Sequence, residues 1–212
     1  MIDATGIPSV SVSLAQTGAS AKANALGMRP MQERAYQKRG EQYLLIKSPP
    51  ASGKSRALMF IALDKLRKQS LKQVIIVVPE RSIGSSFADE PLSKFGFWAD
   101  WIVKPRWNLC NAPGADSSRA DPTNVGAVSK FLESDDEAMV CTHATFRFAF
   151  ERFGVEAFDG RLIAIDEFHH VSADENNVLG SQVSQLIEHG KTHLVAMTGS
   201  LLSWRCGACS VP

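Results

Sequence analysis

Runs of apolar residues alternate with amphipathic stretches along most of the chain. Short runs rich in β-branched residues predict strands at residues 43–47, 73–79, 97–103, 138–142, 161–166 and 192–198. Apolar positions at helical spacing predict helices at residues 28–39, 54–69, 125–133, 144–153 and 177–189, and a further helix from about residue 82. This alternation predicts an α/β fold: a mostly parallel sheet with helices on both faces and right-handed crossovers.

Polar residues stand where several of these strands end. Ser48 follows the first strand, and Asp166 and Thr198 close two later ones. In doubly wound sheets, ligands bind at the carboxyl ends of the strands. We therefore expect these three positions to meet at one edge of the sheet and to mark a ligand site.

The stretch from Ser48 to Ser55 has the layout of a phosphate site. A loop of small residues leads into Gly53-Lys54-Ser55, which opens a helix. Backbone N–H groups and the helix dipole favour negative charge there, the Lys reaches the outer phosphates, and the Ser hydroxyl can ligate Mg²⁺. Ser48 stands where the P-loop pattern has its first Gly, so the strict pattern is not met.

A second polar feature, Asp166-Glu167, ends a buried apolar run. An acid in that place is costly unless a metal ion or a hydrogen-bond donor compensates it. Mg²⁺ held by Ser55 and Asp166 would do so, and Glu167 could then polarise the water that attacks the γ-phosphate. The alternative is a strand that simply ends in a polar turn, but the Gly53-Lys54-Ser55 stretch upstream favours the nucleotide interpretation.

These two stretches also carry a family resemblance. Asp166-Glu167-Phe168-His169 resembles the DEAD/DEAH signature of superfamily-2 helicases, and Ser48–Ser55 resembles their motif I. Two positions depart from the pattern: Ala51 replaces the middle Gly of motif I, and Phe168 replaces Ala or Cys. The resemblance spans about residues 28–200 and implies the first RecA-like, ATP-binding domain of a P-loop NTPase.

Further motifs follow in the order that the family would have. Arg29-Pro30-Met31-Gln32 is similar to the R-P-x-Q element, whose Gln reads the adenine edge, and Thr198-Gly199-Ser200 resembles motif III. The resemblance implies ATP and Mg²⁺ as cofactors, with Lys54, Asp166 and Glu167 catalytic, Ser55 and Asp166 on the metal, and Thr198 and Ser200 coupling the nucleotide site to nucleic acid. The implied nucleotide contacts are Arg29, Gln32, Pro50, Ala51, Ser52, Gly53, Lys54 and Ser55.

A nucleic-acid face is implied by two weaker likenesses. Residues 78–81 resemble motif Ia, and residues 141–146 resemble a later strand-contacting segment, which together point to Arg81, Thr142 and Thr145. Hydroxyl groups and Arg side chains are usual phosphate partners. Spacing alone favours solvated helix-surface charges for Arg81 and Arg147, whereas the resemblance favours contact with nucleic acid. We expect a nucleic-acid partner, DNA rather than RNA.

The tryptophans admit two interpretations. Trp98, Trp101 and Trp107 could offer a platform on which bases stack. Packing in the core or at the sheet edge is the favoured interpretation for Trp98 and Trp101.

Composition limits the classes of function. With 212 residues and 44% hydrophobic residues the chain can build one full α/β core, and its net charge of +1 gives no overall basic excess for nucleic acid. Any such binding must therefore use a local face. No apolar run approaches the ~18 residues that span a membrane, and the first residues lack a secretory pattern. We expect no membrane partner and a cytoplasmic location.

The two ends differ from the rest of the chain. Residues 1–27 read as a flexible arm, and residues 201–212 change character abruptly. Back-translated with allowed codons and shifted by one base, this tail reads Tyr-Phe-Arg-Gly-Asp-Ala-Glu-Pro-Val-Pro. We therefore expect a frameshifted continuation, a chain truncated after motif III, and no second RecA-like domain.

Two functions remain open from the sequence. The first is the ATP-binding domain of a helicase or translocase that couples ATP hydrolysis to nucleic-acid remodelling in the intact protein, with weak activity as an isolated chain. The alternative is a catalytically incompetent fragment that binds nucleotide or nucleic acid, or a regulatory module. A small kinase is disfavoured by Asp166-Glu167 together with Gln32 upstream.

Overall fold

One parallel sheet organises the chain in the computed structural model, which describes residues 23–111, 122–168 and 178–199. Its strands lie in the spatial order β1-β5-β4-β2-β3, and every neighbouring pair is parallel. They are β1 (Tyr43–Lys47), β2 (Val74–Val78), β3 (Ala138–Thr142), β4 (Leu162–Ile165) and β5 (His193–Thr198). The predicted α/β architecture with a parallel sheet is confirmed.

Five α-helices connect or precede these strands among the described residues. They are α1 (Pro30–Gln37), α2 (Lys54–Lys68), α3 (Pro122–Leu132), α4 (His143–Phe153) and α5 (Val178–His189). Because the connection through α2 runs across the sheet in the opposite direction to those through α4 and α5, right-handed crossovers place α2 on one face and α4 and α5 on the other. Helix α1 packs against α2, whereas α3 and α5 pack against α4.

The core lies between the sheet and these helices. Every residue of β2 is buried, as expected of a central strand in a parallel sheet. Helix α2 contributes a long apolar side whose fully buried members include Leu58, Phe60 and Ile61. No helix in the described ranges is both long enough and apolar enough to cross a membrane.

The strand predicted at residues 97–103 is wrong. Trp101 forms only an isolated bridge with Glu90, and no ladder extends from it. Side-chain carboxylates take the neighbouring backbone donors instead: Asp89 Oδ1 accepts from Val103 N at 2.8 Å, and Asp100 Oδ1 accepts from Ser93 N at 2.8 Å. Asp89 therefore occupies a backbone donor that a ladder through residues 97–103 would need.

Two further segments differ from the sequence prediction. The helix expected from about residue 82 is a 3₁₀ helix, Arg81–Phe87, whose Gly and Ser residues are weak α-helix formers. The long loop predicted at residues 104–124 contains 3₁₀ turns at Pro105–Trp107 and Leu109–Asn111, and α3 begins at Pro122. Two more 3₁₀ segments, Leu92–Phe95 and Val155–Phe158, complete the described elements.

Part of the predicted N-terminal arm is described. Asn24 Oδ1 accepts from the backbone N–H groups of Leu26 and Met28, both at 3.0 Å, which closes a turn just before α1. Gly27 lies against Phe95 so closely that a Cβ there would be 2.6 Å from the Phe95 backbone oxygen. Residues 1–22 and 200–212, including Ser200 and the predicted frameshifted tail, lie outside the described residues.

Candidate nucleotide site

The polar strand ends predicted from the sequence meet above the carboxyl end of β5. Strand β5 lies between β1 and β4, so the segments that follow these two strands flank it. Ser48 N donates to Thr198 O at 3.1 Å, and Phe168 N donates to Met197 O at 2.8 Å. Backbone hydrogen bonds therefore hold both the phosphate-type loop and the acidic turn against the end of β5.

The loop after β1 uses two left-handed backbone positions before α2 begins. Gly53 is the N-cap of α2 with φ of 89°, and Ala51 has φ of 58°. A left-handed conformation is free for Gly but strained for any residue with a Cβ. Ala51 occupies the place where the helicase motif has a Gly. Because Ala carries a Cβ, its left-handed backbone is a strained conformation within the loop.

Lys54 is the first residue of α2 and folds back over the loop. Its side chain is 8% exposed, and Nζ donates to Ser48 O at 3.0 Å and to Pro49 O at 3.3 Å. A Cβ at Gly199 would lie 3.2 Å from Nζ, so the small residue after β5 leaves room for the ammonium group. The Lys therefore sits at the helix N-terminus, close to the end of β5.

Gln32 joins α1 to the loop. Its Oε1 accepts from Arg29 N at 2.8 Å, which caps the start of α1, and its Nε2 donates to Gly53 O at 3.1 Å. The residue is only 2% exposed. An amide keeps a second hydrogen on its nitrogen and a second lone pair on its oxygen, so Gln32 retains the capacity to bond a ligand.

The acidic turn after β4 continues the ladder and then bends. Asp166 N donates to Val77 O at 2.9 Å, and Asp166 Oδ1 accepts from Glu167 N at 2.9 Å. Glu167 has φ of 50°, and its Oε2 accepts from Gly199 N at 3.4 Å. His143 Nε2, at the start of α4, lies 3.1 Å from Asp166 O, a contact that the sequence analysis did not predict.

These segments enclose a cavity of about 540 Å³. Nearly all of the predicted nucleotide and catalytic residues line it, and three unpredicted residues join them. The lining comprises Arg29, Gln32, Pro50, Ala51, Gly53, Lys54, Ser55, Arg56, Ile83, Ser86, Asp166 and Glu167.

The sequence patterns did not predict Arg56, Ile83 and Ser86 as cavity residues, although the sequence offers a signal for one of them. Arg56 lies in the same helical turn as Lys54, so its proximity to the helix N-terminus was a usable signal. Ile83 and Ser86 belong to the 3₁₀ helix after β2, and no motif marks them. Predicted Ser52 does not line the cavity.

The donors around the cavity fit an anionic ligand with a hard metal ion. Among the described residues, the Nε and Nη2 atoms of Arg56 are buried without a hydrogen-bond partner, which is uncommon for buried polar atoms and leaves donors for a ligand. Three cations, Arg29, Lys54 and Arg56, line the cavity together with the carboxylates of Asp166 and Glu167. Ser55 and Asp166 both line it and offer the oxygen ligands that Mg²⁺ takes.

The residues predicted to contact nucleic acid lie away from this cavity. Thr142 caps α4 by accepting from Thr145 N at 3.2 Å, and the Thr145 side chain, in a residue 4% exposed, lies 3.1 Å from the Thr142 hydroxyl. Arg81 Nε donates to Cys110 O at 2.8 Å. Each of the three therefore has a bonding role within the fold.

The tryptophans divide between packing and exposure. Trp101 is buried, and its Nε1 donates to Phe87 O at 3.1 Å, which confirms the packing interpretation for this residue. Trp107 is buried too. Trp98 is 41% exposed and lies beside the Phe97 ring, with Lys68 Nζ 5.3 Å from its centroid.

Known proteins are similar to this chain over most of its length. The family model described as "Type III restriction enzyme, res subunit" matches residues 25–201. YeeB of Bacillus subtilis (strain 168), described as a candidate ATP-dependent helicase, is 54% identical over 191 residues. The match covers 90% of this chain and 31% of YeeB, so the chain spans about a third of that relative's length.

Among solved structures, the UvsW helicase from bacteriophage T4 is similar at 17% sequence identity, with a TM-score of 0.49. The match covers 82% of this chain and 54% of that one. The family match includes all residues that line the cavity, from Arg29 to Glu167. The family match and the identity with YeeB confirm the resemblance to the superfamily-2 helicases, and the chain, with its helicase-type ATP-binding domain, belongs to the family described as "Type III restriction enzyme, res subunit".

Proposed function

We propose that this chain binds ATP with Mg²⁺ in the cavity above β5 and acts as the first motor domain of a longer, nucleic-acid-remodelling ATPase. One observation carries the proposal: a single cavity brings Lys54 and Ser55 together with Asp166 and Glu167. A cation and hydroxyl at a helix N-terminus facing an acidic strand end is the arrangement that phosphoryl transfer from a nucleotide requires.

The phosphate loop binds and orients the nucleotide. Backbone N–H groups at the start of α2 hold the phosphates, and Lys54 exchanges one of its two carbonyl partners, Ser48 or Pro49, for an outer phosphate oxygen. Gln32 bonds the adenine edge with the hydrogen and lone pair that its contacts with Arg29 and Gly53 leave over.

The acidic turn completes the site. Mg²⁺, held by Ser55 and Asp166, supplies charge neutralisation of the phosphates when bound. Glu167 accepts a hydrogen bond from the attacking water and orients it for in-line attack. Its left-handed backbone and the contact with Gly199 N set the direction of its carboxylate. Thr198 and Ser200 couple nucleotide binding and hydrolysis at this turn to the binding of nucleic acid.

The partner is a nucleic acid, and DNA rather than RNA. The name of the family, which refers to a restriction enzyme, favours DNA. Arg81, Thr142 and Thr145 follow the ends of β2 and β3, on the same edge of the sheet as the nucleotide cavity. To contact the backbone of a nucleic acid, Thr142 and Thr145 must break the hydrogen bond between their hydroxyl groups and bond phosphate oxygens instead.

Full activity needs a second RecA-like domain. Arginines from a second domain stabilise the transferring phosphoryl group, and such groups change rates by orders of magnitude. The isolated 212-residue chain therefore binds ATP with Mg²⁺ weakly, hydrolyses it slowly and does not unwind duplexes by itself.

The test is nucleotide binding and turnover by the purified chain. Lys54→Ala should abolish binding of a fluorescent ATP analogue, whereas the exposed Lys38→Ala serves as a control with unchanged binding. Glu167→Gln should keep binding and remove residual turnover. Wild-type protein that binds no nucleotide contradicts the proposal. Binding without any turnover, with or without single-stranded DNA or RNA, would instead support the non-catalytic binding module.

A further inference from the structure

Arg56 is a cavity residue whose bonding is incomplete. It is the third residue of α2, two positions after Lys54, and its side chain is 26% exposed. Its Nε and Nη2 atoms are buried and make no hydrogen bond with any residue that the structure describes. Buried guanidinium donors without acceptors are uncommon, and a ligand in the cavity can supply the missing acceptor.

The side chains next to the guanidinium contact it without satisfying its hydrogen-bond donors. The Arg56 Cζ atom lies 4.4 Å from the centroid of the Phe95 ring, within the range of a cation–π contact. Glu90 Oε1 is 3.6 Å from Nε, which is close enough for charge attraction but too long for a hydrogen bond. Glu90 is itself fixed, because its backbone exchanges two hydrogen bonds with Trp101 at 2.9 and 3.0 Å.

The position of Arg56 points to phosphate as the missing acceptor. Long side chains on a helix lean towards its N-terminus, which here is the phosphate-binding end of α2. A guanidinium group carries a fixed fork of donors that matches phosphate oxygens and keeps its charge at every relevant pH. The Phe95 ring supports the group from outside the cavity, which restricts its motion before ligand binds.

We propose that Arg56 is a nucleotide-binding residue that donates hydrogen bonds from Nε and Nη2 to phosphate oxygens of the bound nucleotide. The inference rests on the proposed nucleotide function and adds to it a phosphate contact outside the Gly53-Lys54-Ser55 motif. Phe95 acts as a positioning residue, because its ring holds the guanidinium at the cavity wall.

A purely structural role makes a different prediction. If Arg56 only ties α2 to the segment around Glu90 and Phe95, removing either member of the ion pair should have the same effect. Under our proposal, Arg56→Met removes the phosphate contact, whereas Glu90→Gln leaves both donors of Arg56 available. The two variants therefore separate the two roles.

The experiment measures the binding of fluorescent ADP and ATP analogues, with Mg²⁺, to the full chain. We expect Arg56→Met to weaken both at least tenfold, Arg56→Lys to recover part of the loss, and Glu90→Gln to bind as tightly as wild type or more tightly. Adenosine, measured by competition, should bind Arg56→Met and wild type equally. Circular dichroism melting checks that each variant is folded. If Arg56→Met is not folded, the comparison is made with Arg56→Lys instead.

Three results would overturn the inference. The first is wild-type ADP affinity in Arg56→Met, or in Arg56→Lys if Arg56→Met does not fold. The second is a loss of ADP affinity in Glu90→Gln as large as that in Arg56→Met. The third is a loss of adenosine affinity in Arg56→Met as large as its loss of ADP affinity. Failure of the proposed function looks different, because wild-type protein would then bind neither ADP nor ATP. Loss of binding in Lys54→Ala, with Arg56→Met unchanged, would leave the nucleotide function standing and reject the Arg56 contact alone.

Discussion

Gln32 Nε2 donates to Gly53 O at 3.1 Å, and a Cβ at position 53 would lie 2.6 Å from that same nitrogen. The segment expected to read the adenine edge and the loop expected to hold the phosphates are thus in direct contact. Gln32 also caps α1 through Arg29 N. A change in either residue should therefore be transmitted to the other.

Replacing Gln32 with Ala should lower both stability and nucleotide affinity. The variant leaves the Gly53 carbonyl and the Arg29 N–H without their partners, which should reduce the free energy of unfolding by about 1–3 kcal/mol. Urea denaturation with and without ATP measures both effects. Gln37→Ala, on the exposed end of the same helix, is the matched control and should change neither quantity. Equal stability of the two variants would contradict the contact.

Gly53→Ala should be more damaging than Gly40→Ala. The backbone at Gly53 is left-handed, which costs a residue with a Cβ roughly 1–2 kcal/mol, and the new methyl group would collide with Gln32 Nε2. We expect a lower melting temperature and weaker binding of an ATP analogue. Gly40→Ala, where no atom lies within 4 Å of an added Cβ, should melt like wild type. Normal ATP binding by Gly53→Ala would show that the loop tolerates the strain.

Arg161 should be a major determinant of stability far from the nucleotide cavity. It donates to Gln73 Oε1 at 2.7 Å, Leu132 O at 2.9 Å and Ala157 O at 2.9 Å, and it is nearly buried. Arg161→Met leaves several buried acceptors unpaired, so the free energy of unfolding should fall by about 3 kcal/mol or more.

Chemical denaturation measures the effect of Arg161→Met. The exposed Arg152→Met on α4 provides the control and should stay within about 0.5 kcal/mol of wild type. A similar small loss in both variants would mean that water replaces the Arg161 contacts.

The stability of the fold should fall in mild acid because of a buried pair at the amino end of β5. Lys65 Nζ lies 2.9 Å from His193 Nδ1 and donates to Glu41 O at 2.8 Å. Burial, and then the nearby Lys65 charge, lowers the pKa of His193 to about 4. Burial lowers the pKa of Lys65 to about 8, with Asp64 and Glu41 opposing the shift.

The direction of the pH effect follows from these values. Between pH 6.5 and 4 the unfolded chain binds a proton at position 193 that the folded chain does not, so the free energy of unfolding should decrease as the pH falls through this window. From pH 7 to 5 the loss from His193 should be about 2 kcal/mol. The Lys65 shift acts between pH 8 and 10.5, where stability should rise with pH.

Comparison with His193→Gln isolates this contribution. Gln retains an acceptor for Lys65 but does not titrate, so the difference in unfolding free energy between pH 7 and pH 5 should shrink. Guanidinium chloride denaturation at both pH values provides the measurement. An unchanged difference would assign the acid sensitivity to other groups.

Much of the fold was predictable because local pattern and tertiary environment agree. The run from Val74 to Val78 is apolar throughout, and the strand is buried throughout. Residues 97–103 show the opposite case. Their apolar residues suit a strand, but the Asp89 side chain takes the Val103 N–H group, and Trp101 is buried with an isolated bridge to Glu90 in place of a ladder.

The sequence by itself determined which chemistry stands at the strand ends, from Lys54 and Ser55 after β1 to Asp166 and Glu167 after β4. Residue type and spacing suffice for that, because an apolar run followed by a polar residue marks a strand end wherever the strand lies. Only the tertiary structure decided that β5 lies between these strands, that Gln32 donates a hydrogen bond to the phosphate loop, and that Arg56 lines the cavity. Strand order and side-chain packing depend on contacts between residues far apart in the chain, which no local pattern encodes.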